Sequence, residues 1–483
     1  MLHPYRGNRG HVLTVGFIED WQPAVGAVTT WTVTDQARQA AALAPAHRVA
    51  PSFQQRAYLR TVADRPVAAR LRILAFDLPG APDPAALRRA VLGFLRRHDT
   101  FAGRFAVTGY GTVTRHQLHA EQIDIAATGH GQLDDPAAIR ELVISGTPAA
   151  PAWECFSFGV IEHDDSFTVY AAIDHLHTDG IGQILAANDL LTLYQAEISG
   201  STALLAPAAG HVAHCDRENR FNEQLIPRAA PILQWAQLLR PYGDELPGFP
   251  LPLGDSAPVH AHRTATLLHG EQAERFEQIC SAHGGRFAGG VVAALALTEA
   301  LCTDRRPYFV LAAVDTRTTV REAGSVGWYT APVPLVLNIG ARHSFSALVA
   351  EAQDAAGRAR ELRETSVHRV LELLDLDRGD REPTRVATTL SISDLRTVIG
   401  AEEFGRVEGG LHGCPIEPGA VGISVDRLAD RTTISIRYPD TAAAYESIQY
   451  YLTTACSVFG AIATDGDVTI RPMETANQAV PLR

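Results

Sequence analysis

The sequence predicts a mixed α/β protein built as two lobes, and three observations support this prediction. Segments with strand and helix periodicity alternate from about residue 50 to the end of the chain. The order strand, helix, helix, strand occurs in both halves. Between the halves, residues 200–262 are rich in proline and are typical of a linker that wraps over a surface. The 483 residues suffice for two lobes of roughly 200 residues, each with its own core.

In the first half, four segments carry the clearest secondary-structure signals. The residues LRILAFDL (71–78) predict a strand, because they are mostly apolar and β-forming. Residues 83–98 predict a helix, since an aspartate can cap it, a proline follows the cap, and leucine and valine form one apolar stripe. FTVYAAI (167–173) predicts a second strand, and IGQILAANDLLTLYQAEI (181–198) predicts a long helix.

A second series of predicted elements follows the proline-rich segment. It consists of a strand at 265–268, helices at 271–283 and 288–302, a strand at 307–314, a hairpin at 422–438 and a final helix at 441–459. The predicted boundaries are therefore 1–205 for an N-terminal lobe, 206–262 for the linker and 263–483 for a C-terminal lobe.

Composition excludes several classes of function. The chain contains no lysine, so all 42 basic residues are arginine, which excludes a Schiff base, a pyridoxal anchor and a P-loop lysine. The net charge of -12 argues against a nucleic-acid partner. The six cysteines contain no CxxC pair, the N-terminus lacks the features of a signal peptide, and the apolar stretch 288–301 is too short to span a bilayer. We therefore expect a cytoplasmic protein with reduced thiols and no transmembrane segment.

The stretch FTVYAAIDHLHTDGIGQIL is the most informative part of the sequence, because it contains the pattern HxxxDG between a predicted strand and a predicted helix. The pattern is formed by His175, Asp179 and Gly180. A histidine held at a strand end is suited to act as a general base at neutral pH. Asp179 can cap the helix and meet an arginine, and Gly180 permits a left-handed or tight turn and the close approach of a substrate.

Several blocks in the same order resemble the condensation-domain superfamily of acyltransferases, whose signature is HHxxxDG. That superfamily includes chloramphenicol acetyltransferase-like lobes, nonribosomal-peptide condensation domains and polyketide-associated (Pap) acyltransferases. The similar blocks are IEDWQPAVGAVTTW (18–31), PSFQQRAYLR (51–60), LRRHDTF (95–101), DHLHTDG (174–180), AGGVVAALALTEAL with YFVLAAVDTR (308–317), and GSVGWYTAPVPL (324–335). The first two blocks resemble the Pap branch, and the likeness spans about residues 15–460.

The chain departs from the family pattern at two positions. The first histidine of HHxxxDG is Asp174 here, and the arginine often found after the RHDTF block is Ala102. The family assigns catalysis to the second histidine, which His175 matches. The DFGWG block of plant-type acyltransferases is absent from the sequence.

The resemblance implies two chloramphenicol acetyltransferase-like lobes that form a pseudo-dimer around a tunnel. An acyl thioester of coenzyme A or of an acyl carrier protein would enter from one face and a small-molecule hydroxyl or amine from the other, with no further cofactor. His175 would take the acceptor proton, backbone N–H groups near Gly180 would hold the oxyanion, and Asp179 would pair with Arg317 to support the loop.

Other candidate residues allow two interpretations each. Trp328 and Tyr329 would line the tunnel or pack at the lobe interface, Ser391 and Ser393 are candidates for hydrogen bonds to an intermediate, and Asp174 is a possible substrate contact. The segment HVAHC (211–215) superficially resembles a metal site but has no second ligand pair, so no metal is expected.

Three functions remain open at this point. The favoured one is an acyltransferase that moves an acyl group to a hydroxyl in natural-product or lipid biosynthesis. The alternatives are an amide-forming condensation enzyme of the nonribosomal-peptide type and a non-catalytic condensation-like binding protein. The intact set of His175, Asp179 and Gly180 argues against the last of these.

Overall fold

A computed structural model defines the fold for most of the chain. It describes residues 13–62, 70–109, 111–243, 245–246, 248–255, 259–303, 305, 307–340, 344–374, 387–413 and 420–470. The strands of this part are Thr14–Gly16 (β1), Gly26–Val33 (β2), Leu71–Pro79 (β3), Gly103–Val107 (β4), Val113–Gln117 (β5), Ile125–Leu133 (β6), Phe156–Glu162 (β7), Ser166–Asp174 (β8), His260–His269 (β9), Tyr308–Asp315 (β10), Thr330–Leu337 (β11), Thr389–Asp394 (β12), Gly410–His412 (β13), Gly422–Arg427 (β14) and Arg431–Pro439 (β15).

The helices flank these strands. They are Asp35–Leu43 (α1), Phe53–Thr61 (α2), Pro84–Arg97 (α3), Pro136–Gly146 (α4), Gly180–Ser199 (α5), His211–Glu223 (α6), Ala230–Leu239 (α7), Gly270–Ala282 (α8), Phe287–Thr303 (α9), Val320–Ala323 (α10), Phe345–Glu361 (α11), Val367–Leu373 (α12), Ala401–Arg406 (α13) and Ala442–Asp465 (α14). The elements predicted at 71–78, 83–98, 167–173, 181–198, 265–268, 271–283, 288–302, 307–314, 422–438 and 441–459 are all present, with ends shifted by a few residues.

Two large sheets confirm the two-lobed α/β architecture. The first has the strand order β1-β13-β3-β8-β7-β2-β6, and the second has the order β11-β10-β12-β14-β15-β9. In the first lobe, α5 packs between the sheet and α3, which explains why α5 is apolar on nearly all sides. In the second lobe, α9 is buried among α8, α11, α14 and the sheet.

One strand of the first sheet comes from the second half of the chain. Strand β13 pairs in parallel with β1 and antiparallel with β3, so the segment after β12 crosses to the first lobe and returns through β14. Helix α13 lies on the same segment and packs against α5. The first sheet is therefore not built from residues 1–205 alone, while the predicted linker boundaries stay a prediction.

The proline-rich segment is not an extended linker throughout, because it contains α6 and α7. Helix α7 begins with a proline in its first turn, where the ring breaks no hydrogen bond. It then buries Ile232, Trp235 and Leu239, a helical spacing that the sequence prediction overlooked because of the surrounding prolines. The N-terminus of α6 is capped by Asp99, whose oxygens accept hydrogen bonds from the backbone N–H groups of His211 and Val212 at 2.7 and 3.2 Å.

Within the described residues, no single helix has both the length and the apolar composition required to cross a membrane. Only α8 and α9 taken together pass that test, and they meet at an angle of 94°. Helix α9 is buried in the core of the second lobe.

Candidate active site

His175 directly follows β8, a central strand of the first sheet that is buried along nearly its whole length. The turn of residues 175–179 then leads into α5. The N–H of His175 donates to the carbonyl of Arg70 at 2.9 Å, which continues the pairing of β8 with the neighbouring chain segment. The half-buried imidazole is thus carried by a rigid strand end, as the sequence predicts.

The hydrogen bonds of the ring determine its tautomer. Nδ1 of His175 lies 2.6 Å from the carbonyl oxygen of Thr178, a distance that requires a proton on Nδ1 because two acceptors would repel each other. The Nε–H of Arg72 approaches the same nitrogen at 3.4 Å. A protonated Nδ1 cannot also accept a hydrogen bond. The shorter contact, to Thr178, is therefore the hydrogen bond, and Arg72 lies beside it as a cation. Nε2 is then the basic nitrogen of the neutral ring.

Trp328 covers one face of the imidazole. The two rings stack with centroids 4.0 Å apart and an angle of 27° between their planes. Tyr58 meets Trp328 edge-on at 5.4 Å. Trp328 belongs to the second lobe, so the face of the candidate base is formed by both lobes.

Asp174, which stands where the family has its first histidine, is buried beneath the site. One of its oxygens, Oδ1, accepts from the hydroxyl of Tyr58 at 2.6 Å and from the N–H of Leu176 at 2.9 Å. The other oxygen has no hydrogen-bond partner among the described residues. Burial raises the pKa of Asp174 to about 6, although these hydrogen bonds oppose the rise. The side chain therefore holds α2 and the turn together, and a direct substrate contact is not required to explain it.

Asp179 and Arg317 form the expected ion pair across the lobes. Nη1 and Nη2 of Arg317 each lie 3.1 Å from one oxygen of Asp179, and both side chains are at most 3% exposed. Asp179 also accepts from the N–H groups of Gly182 and Tyr329 at 2.7 and 2.8 Å. Burial would raise the pKa of Asp179, but Arg317 and these hydrogen bonds hold it below its usual value. Arg317 also pairs with Asp315 at 2.9 Å.

The structure corrects the reason given for the motif glycine. Gly180 does not have a positive φ; it is the first residue of α5. A Cβ added there would approach only the guanidinium of Arg72, at 4.0 Å. The crowded glycine is Gly182, where a Cβ would lie 2.5 Å from Oγ1 of Thr178 and 3.2 Å from Oδ1 of Asp179. Gly180 thus leaves space beside Arg72, and Gly182 permits the cap.

A pocket of about 600 Å³, counting its part open to solvent, lies between the lobes on the other side of Trp328. The pocket is lined by the start of α2, by α6, by β11 and by the turn between α11 and α12. Its polar lining includes Gln54, His214, Arg217, Thr330, Arg363 and Ser366. Trp328 both lines this pocket and stacks on His175, so it stands between the pocket and the candidate base.

The remaining predicted residues lie around this centre. Tyr329 packs under Arg317, with 4.4 Å between the guanidinium and the ring centroid, so its position agrees with interface packing. Ser391 and Ser393 lie on β12, paired in register with Ser424 and Asp426 of β14. Ser393 is hydrogen bonded to Asp426, and burial raises the pKa of that carboxyl to about 6.

Residues 211–215 do not form a metal site. Among the described residues, no group of three or more potential ligands has the geometry to hold a metal ion. Nε2 of His211 instead lies 3.0 Å from the carbonyl of Trp328, and Sγ of Cys215 accepts from Arg115 at 3.1 Å. This cluster therefore holds α6 against the segment that carries Trp328.

Sequence reasoning missed three residues of the site: Tyr58, Arg72 and Gln183. Gln183 accepts from Nη1 of Arg72 at 3.0 Å, and its amide donates to the carbonyl of Ile73 at 3.2 Å. For Arg72 and Gln183, the available signal was a polar side chain among the mostly apolar residues of a strand and of the start of a helix, because buried polar side chains need partners.

Comparison with known proteins identifies similar chains. The family model of the Condensation domain matches residues 49–477. Acyltransferase PapA3 and trehalose-2-sulfate acyltransferase PapA2 of Mycobacterium tuberculosis are each 31% identical to this chain, over 94% and 95% of its length and 98% and 100% of their own. The solved structure "PapA2 acyl transferase" matches with a TM-score of 0.85 at 30% identity, covering 93% of this chain and 100% of that one. The first condensation domain of the calcium-dependent antibiotic synthetase matches in fold, with a TM-score of 0.67 at 16% identity, covering 88% of this chain and 98% of that one.

Proposed function

The chain belongs to the condensation-domain family of acyltransferases, and we propose that it moves an acyl group from a thioester to a hydroxyl, with His175 as general base. The observation that carries this proposal is the 2.6 Å contact between Nδ1 of His175 and the carbonyl of Thr178. This contact supports the proposal, because a neutral ring that donates from Nδ1 has Nε2 as its basic nitrogen. An adjacent space beside Gly180 and a polar pocket beyond Trp328 provide room for two substrates.

In the proposed reaction, Nε2 of His175 takes the proton of the acceptor hydroxyl while its oxygen attacks the thioester carbonyl. The new C–O bond gives a tetrahedral oxyanion. Backbone N–H groups in the first turn of α5 are suited to stabilise it, because the N-terminus of a helix carries partial positive charge. The oxyanion collapses, the C–S bond breaks, and the thiolate takes the proton back from the imidazolium. The donor is already activated, so no covalent acyl-enzyme is needed.

The acceptor we propose is a polyhydroxylated small molecule, and the product an acylated lipid. Two relatives are named for trehalose derivatives: trehalose-2-sulfate acyltransferase PapA2 and 2'-acyl-2-O-sulfo-trehalose (hydroxy)phthioceranyltransferase PapA1. The pocket beyond Trp328 supports this class of acceptor, since hydroxyl, amide and guanidinium groups are those that bind sugar hydroxyls. The donor is an acyl thioester of coenzyme A or of a carrier protein.

The test is product formation by the purified protein. Acyl-CoA donors of increasing chain length, and the same acyl groups on a carrier protein, are incubated with trehalose, trehalose-2-sulfate or an amine acceptor. Mass spectrometry should show an ester with a sugar acceptor. An amide product would instead support the peptide-type alternative, and no product with any donor would leave the binding-only alternative.

A second measurement tests direct transfer. Intact-protein mass spectrometry after incubation with donor alone should show no mass increase, because the sequence contains no GxSxG-type nucleophile motif. A stoichiometric acyl adduct would contradict the direct mechanism.

A further inference from the structure

We propose that Arg72 is a positioning residue for His175, which it holds in the neutral form by placing a fixed positive charge against the inner edge of the imidazole. Arg72 lies on β3, outside the HxxxDG pattern. Its Nε lies 3.4 Å from Nδ1 of His175, the nitrogen that already donates to Thr178. The inference rests on the proposed role of His175 as base.

The guanidinium donates to two neutral acceptors and also interacts electrostatically with the carboxyl of Asp426. Its Nη1 donates to Oε1 of Gln183 at 3.0 Å and to the carbonyl of Gly413 at 3.4 Å. Gln183 is itself buried, and its amide donates to the carbonyls of Ile73 and His412 at 3.2 and 3.4 Å. Arg72 is therefore fixed by three chain segments: its own strand, α5 and the end of β13.

Among the described residues, Arg72 contacts the edge of the ring directly, at 3.4 Å from Nδ1. Several titratable and charged groups surround the imidazole of His175. Asp174, His177 and Asp179 belong to the same turn, and Arg317 is paired with Asp179. From other elements come Arg72 of β3, Tyr58 of α2, Arg70 just before β3, and Asp426 of β14, which interacts electrostatically with Arg72. Asp179 is neutralised by Arg317, and Asp174 directs its bonded oxygen to Tyr58 and Leu176. His177 turns its Nδ1 to Thr100 on the other side of the turn.

A cation at this distance disfavours a second proton on the imidazole. The hydrogen bond to Thr178 opposes rotation of the ring, because a flipped imidazole would present a C–H group to this carbonyl and lose the 2.6 Å contact. Arg72 thus keeps Nε2 ready to accept the acceptor proton, and it acts through His175 without touching substrate.

The experiment measures the reactivity of His175 without any substrate. Diethyl pyrocarbonate acylates neutral imidazole, and peptide mass spectrometry gives the rate of modification of His175 alone, with exposed His283 as an internal reference. In Arg72→Gln, the rate at pH 6 relative to that at pH 8 should fall by about two- to fourfold against the wild type, because without the cation the imidazole binds its second proton more readily and an ordinary imidazole is only about one-quarter neutral at pH 6. Arg72→Lys, which keeps the charge, should behave as the wild type. Arg358→Gln, which removes an exposed charge from α11, is the matched control and should change nothing.

The acyl-transfer assay on the same variants separates this inference from the proposed function. The acidic limb of kcat/KM should move to higher pH in Arg72→Gln and stay in place in Arg72→Lys. A modification profile that is unchanged in Arg72→Gln, or equally changed in Arg72→Lys, overturns the inference. A shifted profile in a protein that transfers no acyl group overturns the proposed function alone.

Discussion

Single residues of the motif have distinct tasks, which their hydrogen bonds separate. His175 is the residue that we propose as the general base; its Nδ1 contacts a backbone carbonyl and its face is covered by Trp328. Asp179 makes its hydrogen bonds to protein groups and to Arg317. Asp174 makes its hydrogen bonds to Tyr58 and a backbone N–H. The one residue that we expect to touch the reacting groups is therefore His175.

We expect His175→Ala to lower the single-turnover rate of acyl transfer by roughly 10²–10⁴, the usual effect of losing a general base. Folding should change little, because the ring is half-buried and its short hydrogen bond is made to a backbone carbonyl of its own turn. Thermal melts provide the control. A variant that keeps near wild-type turnover would contradict the assignment of the base.

Asp174→Asn tests the cost of the buried carboxyl. The folded-state pKa of Asp174, about 6, lies above the unfolded value near 3.9, so the folded form binds more protons between these limits. Its contribution to stability is present below about pH 4 and is lost as the pH rises towards 6. Between pH 4 and pH 7, the free energy of unfolding of the variant, measured with urea, should therefore exceed that of the wild type by up to roughly 1–3 kcal/mol. Asp134→Asn, at an exposed position, should show no such gain.

At the level of elements, the junction between β8 and α5 is what turns a sequence pattern into a site. The strand end places His175, and the helix start is capped by Asp179 through Gly182. The cap requires close approach of the chain at Gly182, whereas Gly180 faces open space. The two glycines of this junction are therefore needed for different reasons.

Substitution of each glycine separates these reasons. Gly182→Ala should lose about 1–3 kcal/mol of stability and most activity, because its Cβ would overlap Oγ1 of Thr178, a buried and β-branched side chain with little freedom. Gly180→Ala should keep the wild-type melting temperature, since nothing but Arg72 at 4.0 Å is near. Its acceptor or donor KM should rise if a substrate approaches this face. If both variants had the same melting temperature, the proposed difference between the two glycines in steric crowding would be wrong.

In the molecule as a whole, contacts between the lobes complete the site. Arg317 and Trp328 of the second lobe reach Asp179 and His175 of the first. A second contact is made far from the motif, where Nη2 of Arg437 in the second sheet lies 2.9 Å from Glu19 in the first lobe. The arrangement of the lobes thus decides whether the motif is complete.

Arg317→Ala should destabilise the protein by about 3–5 kcal/mol, because it leaves Asp179 buried without its cation. Asp179→Ala should lower the free energy of unfolding by at least as much, since it also removes the cap of α5. In that variant Arg317 keeps Asp315 as a partner. The double variant should lose less than the sum. Urea unfolding of the four proteins measures the coupling, and strict additivity would contradict a direct interaction.

The same pair predicts a pH dependence. The folded-state pKa of Asp179 is lowered, so its contribution is present above the unfolded value near 3.9 and is lost as the pH falls through the folded value. In Arg317→Ala the buried Asp179 lacks its cation, so its pKa lies higher than in the wild type and the variant recovers stability as this carboxylate takes up a proton. The difference in unfolding free energy between the wild type and Arg317→Ala should therefore be largest near pH 8 and shrink as the pH falls. A difference that is unchanged down to pH 3 would be inconsistent with this ion pair.

Local patterns in the sequence were enough to predict the elements on either side of the motif. The strand before His175 and the helix after Asp179 follow from apolar periodicity and capping, which are short-range properties. The pairing of Asp179 with Arg317 was reached through resemblance to a family with the same ordered blocks, because 138 residues separate the two. Helix α7 in the proline-rich segment was missed, since proline in a first turn looks the same in sequence as proline in a loop.

Which polar groups share the site depends on long-range packing, and the tertiary structure was needed to find them. Arg72 reaches His175 because β3 pairs with β8, and β13 enters the first sheet beside β3 from the other half of the chain. Register and crossover of this kind depend on packing between distant segments, which leaves no local signature. Of the two backbone conformations predicted at Gly180, a left-handed or a tight turn, the left-handed one is not found, and the predicted approach of a substrate stays a prediction. The space around a glycine is determined by its neighbours in the fold, not by its neighbours in the chain.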